Sequence, residues 1–270
     1  MLAKLLKYDV KRNVKVLGLY ILLTVAVAVL MRIVSMQDGS FFSVIQSVLM
    51  IVLSVLLFGL VLIPILLAWA YLIRYMFQDE GYLTNTLPVK TSTIFTSTWL
   101  TGMLSLFVSL CVLAFCLWIG FYHGSLQALI DTFLNELGVA FDFESPILFL
   151  ILTFFAFYLE MAFVMNAGYT GIVIGYSSEK NSFLKSILIG IGIYFLWNLI
   201  LTGILLIYGL IDPQVYSMMF EERLNDLESI KMQITFVKNV FVLGIGAYLI
   251  INLFQFWMDQ KVLKRGVELK

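Results

Sequence analysis

Six apolar runs, each near or beyond the length needed to cross a bilayer, constrain this chain more than any other feature. A helix rises ~1.5 Å per residue, so about 20 apolar residues cover a hydrocarbon core of about 30 Å. The runs cover residues 16–31, a stretch within 39–73 strongest from Val44, a stretch around 99–122, and then 146–176, 186–211 and 239–258. Backbone groups in lipid must be satisfied within the spanning element, which leaves helices or closed barrels. Barrel strands would be about 10 residues long and alternate in polarity; these runs are longer and continuous. The expected fold class is therefore all-α, a polytopic membrane protein of six transmembrane helices forming a single transmembrane domain over residues 1–270.

Composition agrees. Apolar residues make up 61% of the chain and charged residues 13%, against about 45–50% and about 25% in soluble domains. A water-soluble enzyme or a nucleic-acid binder is excluded, and seventeen basic residues against seventeen acidic ones leave no net field for a nucleic-acid partner. Cys111 and Cys116 sit about 140° apart around a helix and read as small apolar side chains. With a single histidine in the chain, a zinc or iron site has no ligand cluster to draw on. The first run follows Lys4, Lys7, Lys11, Arg12 and Lys15, and Ala26-Val27-Ala28 resembles a cleavage pattern. Because the apolar run continues and five more follow, it is expected to be a retained anchor.

Six spans put both ends of the chain on one side of the membrane, and the basic residues select the side. The N-terminal segment, the connections after the second and fourth spans and the C-terminal tail together hold thirteen Lys and Arg. The opposite connections hold four: Arg32, Arg223, Lys231 and Lys238. Both termini are expected in the cytoplasm. Residues 1–15 carry a stripe of Leu2, Leu5, Leu6, Val10 and Val14 opposed by lysines, expected as an amphipathic helix along the inner leaflet. On the outer side, segments 123–145 and 212–237 are longer than turns. In the first, Ile130, Phe133, Leu134, Leu137 and Phe141 recur at helical spacing, which predicts an amphipathic helix packed on the span ends. Residues 214–231 repeat that pattern more weakly.

The connection after the second span, residues 74–93, does not read as a passive linker. It places Phe77, Asp79, Glu80, Gly81, Tyr82, Leu83, Leu87 and Pro88 together, with acids against the basic bias of that face and apolar anchors among polar groups. Such a segment on the aqueous side is suited to contacting another protein, and Pro88 ends any helix before it.

Here the sequence resembles a family. Asp79-Glu80-Gly81-Tyr82-Leu83-Thr84, followed by Thr86-Leu87-Pro88-Val89, is similar to the loop after the second of six spans in permease subunits of type-2 ABC transporters from Gram-positive bacteria. The resemblance implies that residues 77–90 dock on a separate cytoplasmic ABC ATPase subunit, with ATP and Mg held there. It further implies a second permease, as homodimer or sibling heterodimer, and a place in the bacterial cytoplasmic membrane. No cofactor is expected on this chain, which lacks a Gly-x-x-x-x-Gly-Lys-Ser/Thr run to cradle phosphates. The implied function is an exporter permease that moves a peptide, drug or lipid-like substrate, not an enzyme in itself.

Inside the bilayer, Glu160 lies halfway along the fourth run. A carboxylate at that depth costs roughly 2.5–3.5 kcal/mol on insertion scales, so it is expected to face the bundle interior, to pair or to be protonated. Its candidate roles are cation contact, proton coupling or gating, with Asn166 and Asn198 as candidate partners. Gly168, Gly171 and Gly175 permit close helix approach, a candidate permease–permease seam, and Pro64 is expected to kink the second span. Two alternatives stay open: an ion-coupled secondary carrier using Glu160, and a non-transporting membrane immunity or assembly protein.

Overall fold

A computed structural model describes residues 2–37, 39–78, 89–122, 124–140, 146–176, 182–211 and 227–264. Among them are seven helices and no strand: α1 Leu2–Val34, α2 Ser40–Phe77, α3 Thr91–Phe121, α4 Gly124–Ala140, α5 Pro146–Tyr176, α6 Ser182–Ile211 and α7 Leu227–Leu263. Six of the seven are long and apolar enough to cross a membrane, α4 being the exception. The chain is thus an all-α, multi-pass membrane protein. Its folded mass falls into two compact units, Met1–Ile130 with Gln260–Lys270, and Asp131–Asp259.

The first unit is built on α1, α2 and α3, each packed on the other two. Their shared apolar core holds Ala28, Met31, Leu53, Leu57, Leu60 and Cys116, so Cys116 does serve as a small core side chain. Ser97, Thr101, Ser105 and Ser109 are buried at four-residue spacing along α3. Small hydroxyl side chains of this kind let helices approach closely in lipid. Tyr20 donates from its hydroxyl to the Leu56 carbonyl at 2.9 Å, tying α1 to α2. Arg32 donates to the Tyr122 carbonyl at 3.2 Å, so this basic group caps the end of α3 while its stem leaves the apolar layer. Between α1 and α2 the chain reverses at Gly39, with φ 137° and ψ 151°, a region essentially reserved for glycine. α2 then runs as one helix through the buried Pro64.

In the second unit, α5 and α6 lie backbone to backbone. A Cβ added at Gly171 would come within 2.5 Å of the Ser186 carbonyl oxygen and 2.6 Å of the Gly190 nitrogen. Gly175 abuts Ser186 in the same way. The glycines of α5 therefore form a seam inside one chain, where a seam between two permeases was expected. α7 meets α5 through side chains, with Phe149 stacked on Phe241 and Phe163 against Tyr248.

Two amphipathic segments differ from expectation. Residues 1–15 are not a separate surface helix: they are the first half of the uninterrupted 33-residue α1. The fully buried positions of that half are Asp9 and Asn13, Leu2, Leu5, Leu6 and Val10 are half-buried, and Val14 is 59% exposed with the lysines; Asp9 finds partners inside the bundle. α4 forms where the outer amphipathic helix was expected, yet Phe133 of its stripe is 57% exposed. Ile130 and Leu134 of the same stripe are half-buried. Of the second outer segment, residues 212–237, residues 212–226 lie outside the described residues, and 227–237 form the opening turns of α7.

Candidate functional site

Residues 79–88, which carry Asp79, Glu80, Gly81, Tyr82, Leu83, Leu87 and Pro88, lie outside the described residues. Their two flanks are described. Phe77, half-buried, ends α2, and Thr91 opens α3. At these flanks a charged and aromatic knot joins three helices of the first unit. The Asp9 carboxylate of α1, 4% exposed, accepts a 2.6 Å hydrogen bond from the Ser97 hydroxyl of α3 and lies 3.6 Å from the Arg12 guanidinium. Tyr75 of α2 donates to the same carboxylate. Arg12 in turn lies over two rings of α2, 3.9 Å from the Tyr71 centroid and 4.3 Å from that of Tyr75.

This arrangement follows from helical spacing. Asp9 and Arg12 are three residues apart and share a face of α1; Tyr71 and Tyr75 are four apart and share a face of α2. A guanidinium can stack between rings and still direct its edge at a carboxylate, which an ammonium cannot do. A buried carboxylate holds its charge only when its hydrogen-bonding capacity is met, and Ser97 and Tyr75 donate to that of Asp9. A second tie lies in the same unit. Gln260, at the end of α7, accepts from the Ser92 hydroxyl at 3.2 Å and donates to Thr96 at 2.9 Å. The first two turns of α3 are thus fixed from both sides.

In the second unit the expected intramembrane group separates. Asn166 does not partner Glu160. It is 1% exposed and donates to Asn252 of α7 at 2.6 Å, while the Asn252 amide donates to the carbonyls of Leu159 at 3.1 Å and Tyr248 at 2.7 Å. Asn198 donates to the Tyr194 carbonyl in its own helix at 2.8 Å, an ordinary satisfied side chain within α6. Glu160 is exposed, so of the three expected alternatives the inward-facing one is not met. The reason lies in α5 itself: from Ala162 onward its glycines and Asn166 carry the packing, which turns the Glu160 azimuth outward. Glu160 still borders an aromatic group, Phe163 stacked on Tyr194 at 5.5 Å and packed on Tyr248 at 5.5 Å, with Tyr248 within electrostatic reach of its carboxylate.

Sequence reasoning passed over Asp9, Arg12, Tyr71, Tyr75 and Ser97, having counted Arg12 only as an orienting charge. The available signal was Asp9 itself, one acid inside a run of lysines and three residues from an arginine. It also passed over Asn252, Gln255 and Asp259, polar residues at a three-and-four spacing near the end of the last apolar run. No protein-family model, no curated protein and no solved structure matches the chain.

Proposed function

We propose that this chain is the membrane-spanning permease subunit of an ATP-driven exporter in a bacterial cytoplasmic membrane, worked by a separate ABC ATPase. The observation that carries the reading is the knot of Asp9, Arg12, Tyr71, Tyr75 and Ser97. It braces both helices that flank residues 79–88, the segment whose sequence resembles an ATPase-docking loop. A loop that receives force from a partner needs rigid roots, or the displacement is lost in local bending. Roots cross-braced to α1 would carry a push on Tyr82 or Leu87 into three spanning helices at once, shifting the bundle between inward-open and outward-open states.

The same reading places both termini and residues 74–93 in the cytoplasm, in keeping with the distribution of Lys and Arg. It also gives Glu160 a place. A carboxylate exposed in the middle of an apolar span is costly against lipid, and a second permease covering that face would remove it from the hydrocarbon. The substrate class is a peptide, drug or lipid-like molecule able to reach an aromatic-rich bundle.

The test is Leu87→Asp in the assembly reconstituted with its ATPase. ATP hydrolysis should continue while transport is lost, and unchanged coupling would overturn the docking role. Transport blocked by vanadate and indifferent to a protonophore supports the ATP-driven reading. The reverse pattern, abolished by Glu160→Gln, would make the chain an ion-coupled carrier.

A further inference from the structure

α1 carries a second pattern on the side turned away from the knot. Lys4, Lys7, Lys11 and Lys15 are all exposed, and at about 100° per residue they fall within about 80° of one another. Asp9 and Asn13 lie on the opposite side of the helix and are buried. Asp9 is the only acid between Leu2 and Val34, so no carboxylate of the same helix faces the lysines. Among the described residues none of the four pairs with an acid. Past Lys15 the lysine side turns apolar and stays exposed, at Leu22, Val29 and Ile33.

The change of character locates the membrane surface on α1. From Val16 to Ile33 the helix rises about 26 Å, close to the hydrocarbon thickness of about 30 Å, and a headgroup layer adds about 5–7 Å on each side. Lys15 then stands at the edge of the hydrocarbon and Lys11 about 7 Å beyond Val16, both at headgroup depth. Lys7 and Lys4 stand about 13 Å and about 18 Å beyond Val16, because α1 continues without a break. Side chains on a helix lean toward its N-terminus, which here carries the ammonium groups away from the hydrocarbon.

We infer that Lys11 and Lys15 bind the phosphates of anionic phospholipids. The occupant follows from continuity: the side that bears the lysines is the side that faces lipid further along the same helix. Lys7 lies within about one Debye length of the headgroups, about 8 Å at physiological salt, and takes a smaller part; Lys4 lies beyond it. Lys11 and Lys15 bracket Arg12 and Asn13 in sequence, so headgroups and knot grip opposite sides of the same turn of α1. The site requires no ATPase and no assignment of the two sides of the membrane, so it stands or falls separately from the exporter reading.

The experiment is acylation of lysine amines in the full-length chain, followed residue by residue by mass spectrometry. The chain is held in nanodiscs of phosphatidylcholine alone or with phosphatidylglycerol added. Phosphatidylglycerol should slow labelling of Lys11 and Lys15 about fivefold each, on the scale of one basic side chain at an anionic surface. Lys7 should slow less and Lys4 should not change. Equal rates in the two kinds of disc overturn the site, as they would if these lysines served an acidic protein instead. Equal slowing of all four lysines also overturns it, since no depth would then be singled out. In thermal unfolding, phosphatidylglycerol should raise the Tm of the unaltered chain and of the double variant Lys11→Arg with Lys15→Arg. It should not raise that of Lys11→Gln with Lys15→Gln, and a glutamine variant that keeps the full response overturns the site. Should the glutamine variant fail to insert, the labelling rates of the unaltered chain decide.

Discussion

Asn166 and Asn252 share a 2.6 Å hydrogen bond between α5 and α7, and both side chains are at least 95% buried. In apolar surroundings the bond matters chiefly through what its loss leaves behind. Asn252→Leu strips the Asn166 amide of its acceptor and should cost about 1–2 kcal/mol, whereas the double change Asn166→Leu with Asn252→Leu should cost less than the two single changes summed. Thermal unfolding of the four proteins in one detergent measures the cycle; strict additivity would mean that the two amides do not interact.

At Gly171, no room exists for a methyl group. Gly171→Ala should destabilise by about 1–3 kcal/mol, because the atoms in the way belong to the Ser186 and Gly190 backbone and cannot swing aside. Gly192 faces open space, so Gly192→Ala should be neutral or stabilise by up to about 1 kcal/mol through helix propensity. Unfolding midpoints of both proteins check the contrast.

Arg12→Lys keeps the charge beside Asp9 and removes the planar group between Tyr71 and Tyr75. A loss of about 1 kcal/mol is expected, and the coupling between Arg12→Lys and Tyr71→Leu should exceed 0.5 kcal/mol on the scale of contacting residues. If the proposed exporter reading holds, the same substitution should lower transport per ATP hydrolysed in the assembly reconstituted with its ATPase, since it loosens the flanks of residues 79–88 without touching them.

Gly39→Ala should cost about 1–3 kcal/mol, the usual penalty for a side chain at φ 137° and ψ 151°. Gly18 lies inside α1, where an added Cβ would make an ordinary 3.8 Å contact with Val14; Gly18→Ala should not destabilise. Denaturant midpoints separate the two.

The six spans were legible because hydropathy over 20 residues is decided by transfer free energy alone. Their ends were not. α2 continues to Phe77 and α3 begins at Thr91, beyond the apolar limits, because polar residues there bond to one another rather than to water: Asp9 to Ser97, Gln260 to Ser92 and Thr96. The orientation of Glu160 was illegible for a related reason. The flanks of α5 are apolar all round, so hydropathy does not encode its azimuth. The glycines and Asn166 do, and their partners Ser186, Gly190 and Asn252 lie on other helices, distant in sequence. The proposed docking role of residues 79–88 rests on resemblance alone, and those residues lie outside the described ones.

The contact of Gly171 and Gly175 with Ser186 and Gly190 has a mechanical consequence. Interlocked side chains hold two helices in one register, since any axial shift forces rotamers out of their wells. At the glycines α5 and α6 meet almost without such interlocking, whereas Phe163 stacked on Tyr194 supplies it elsewhere along the same pair. The glycines therefore set how close the two helices lie, and the ring pair sets their register.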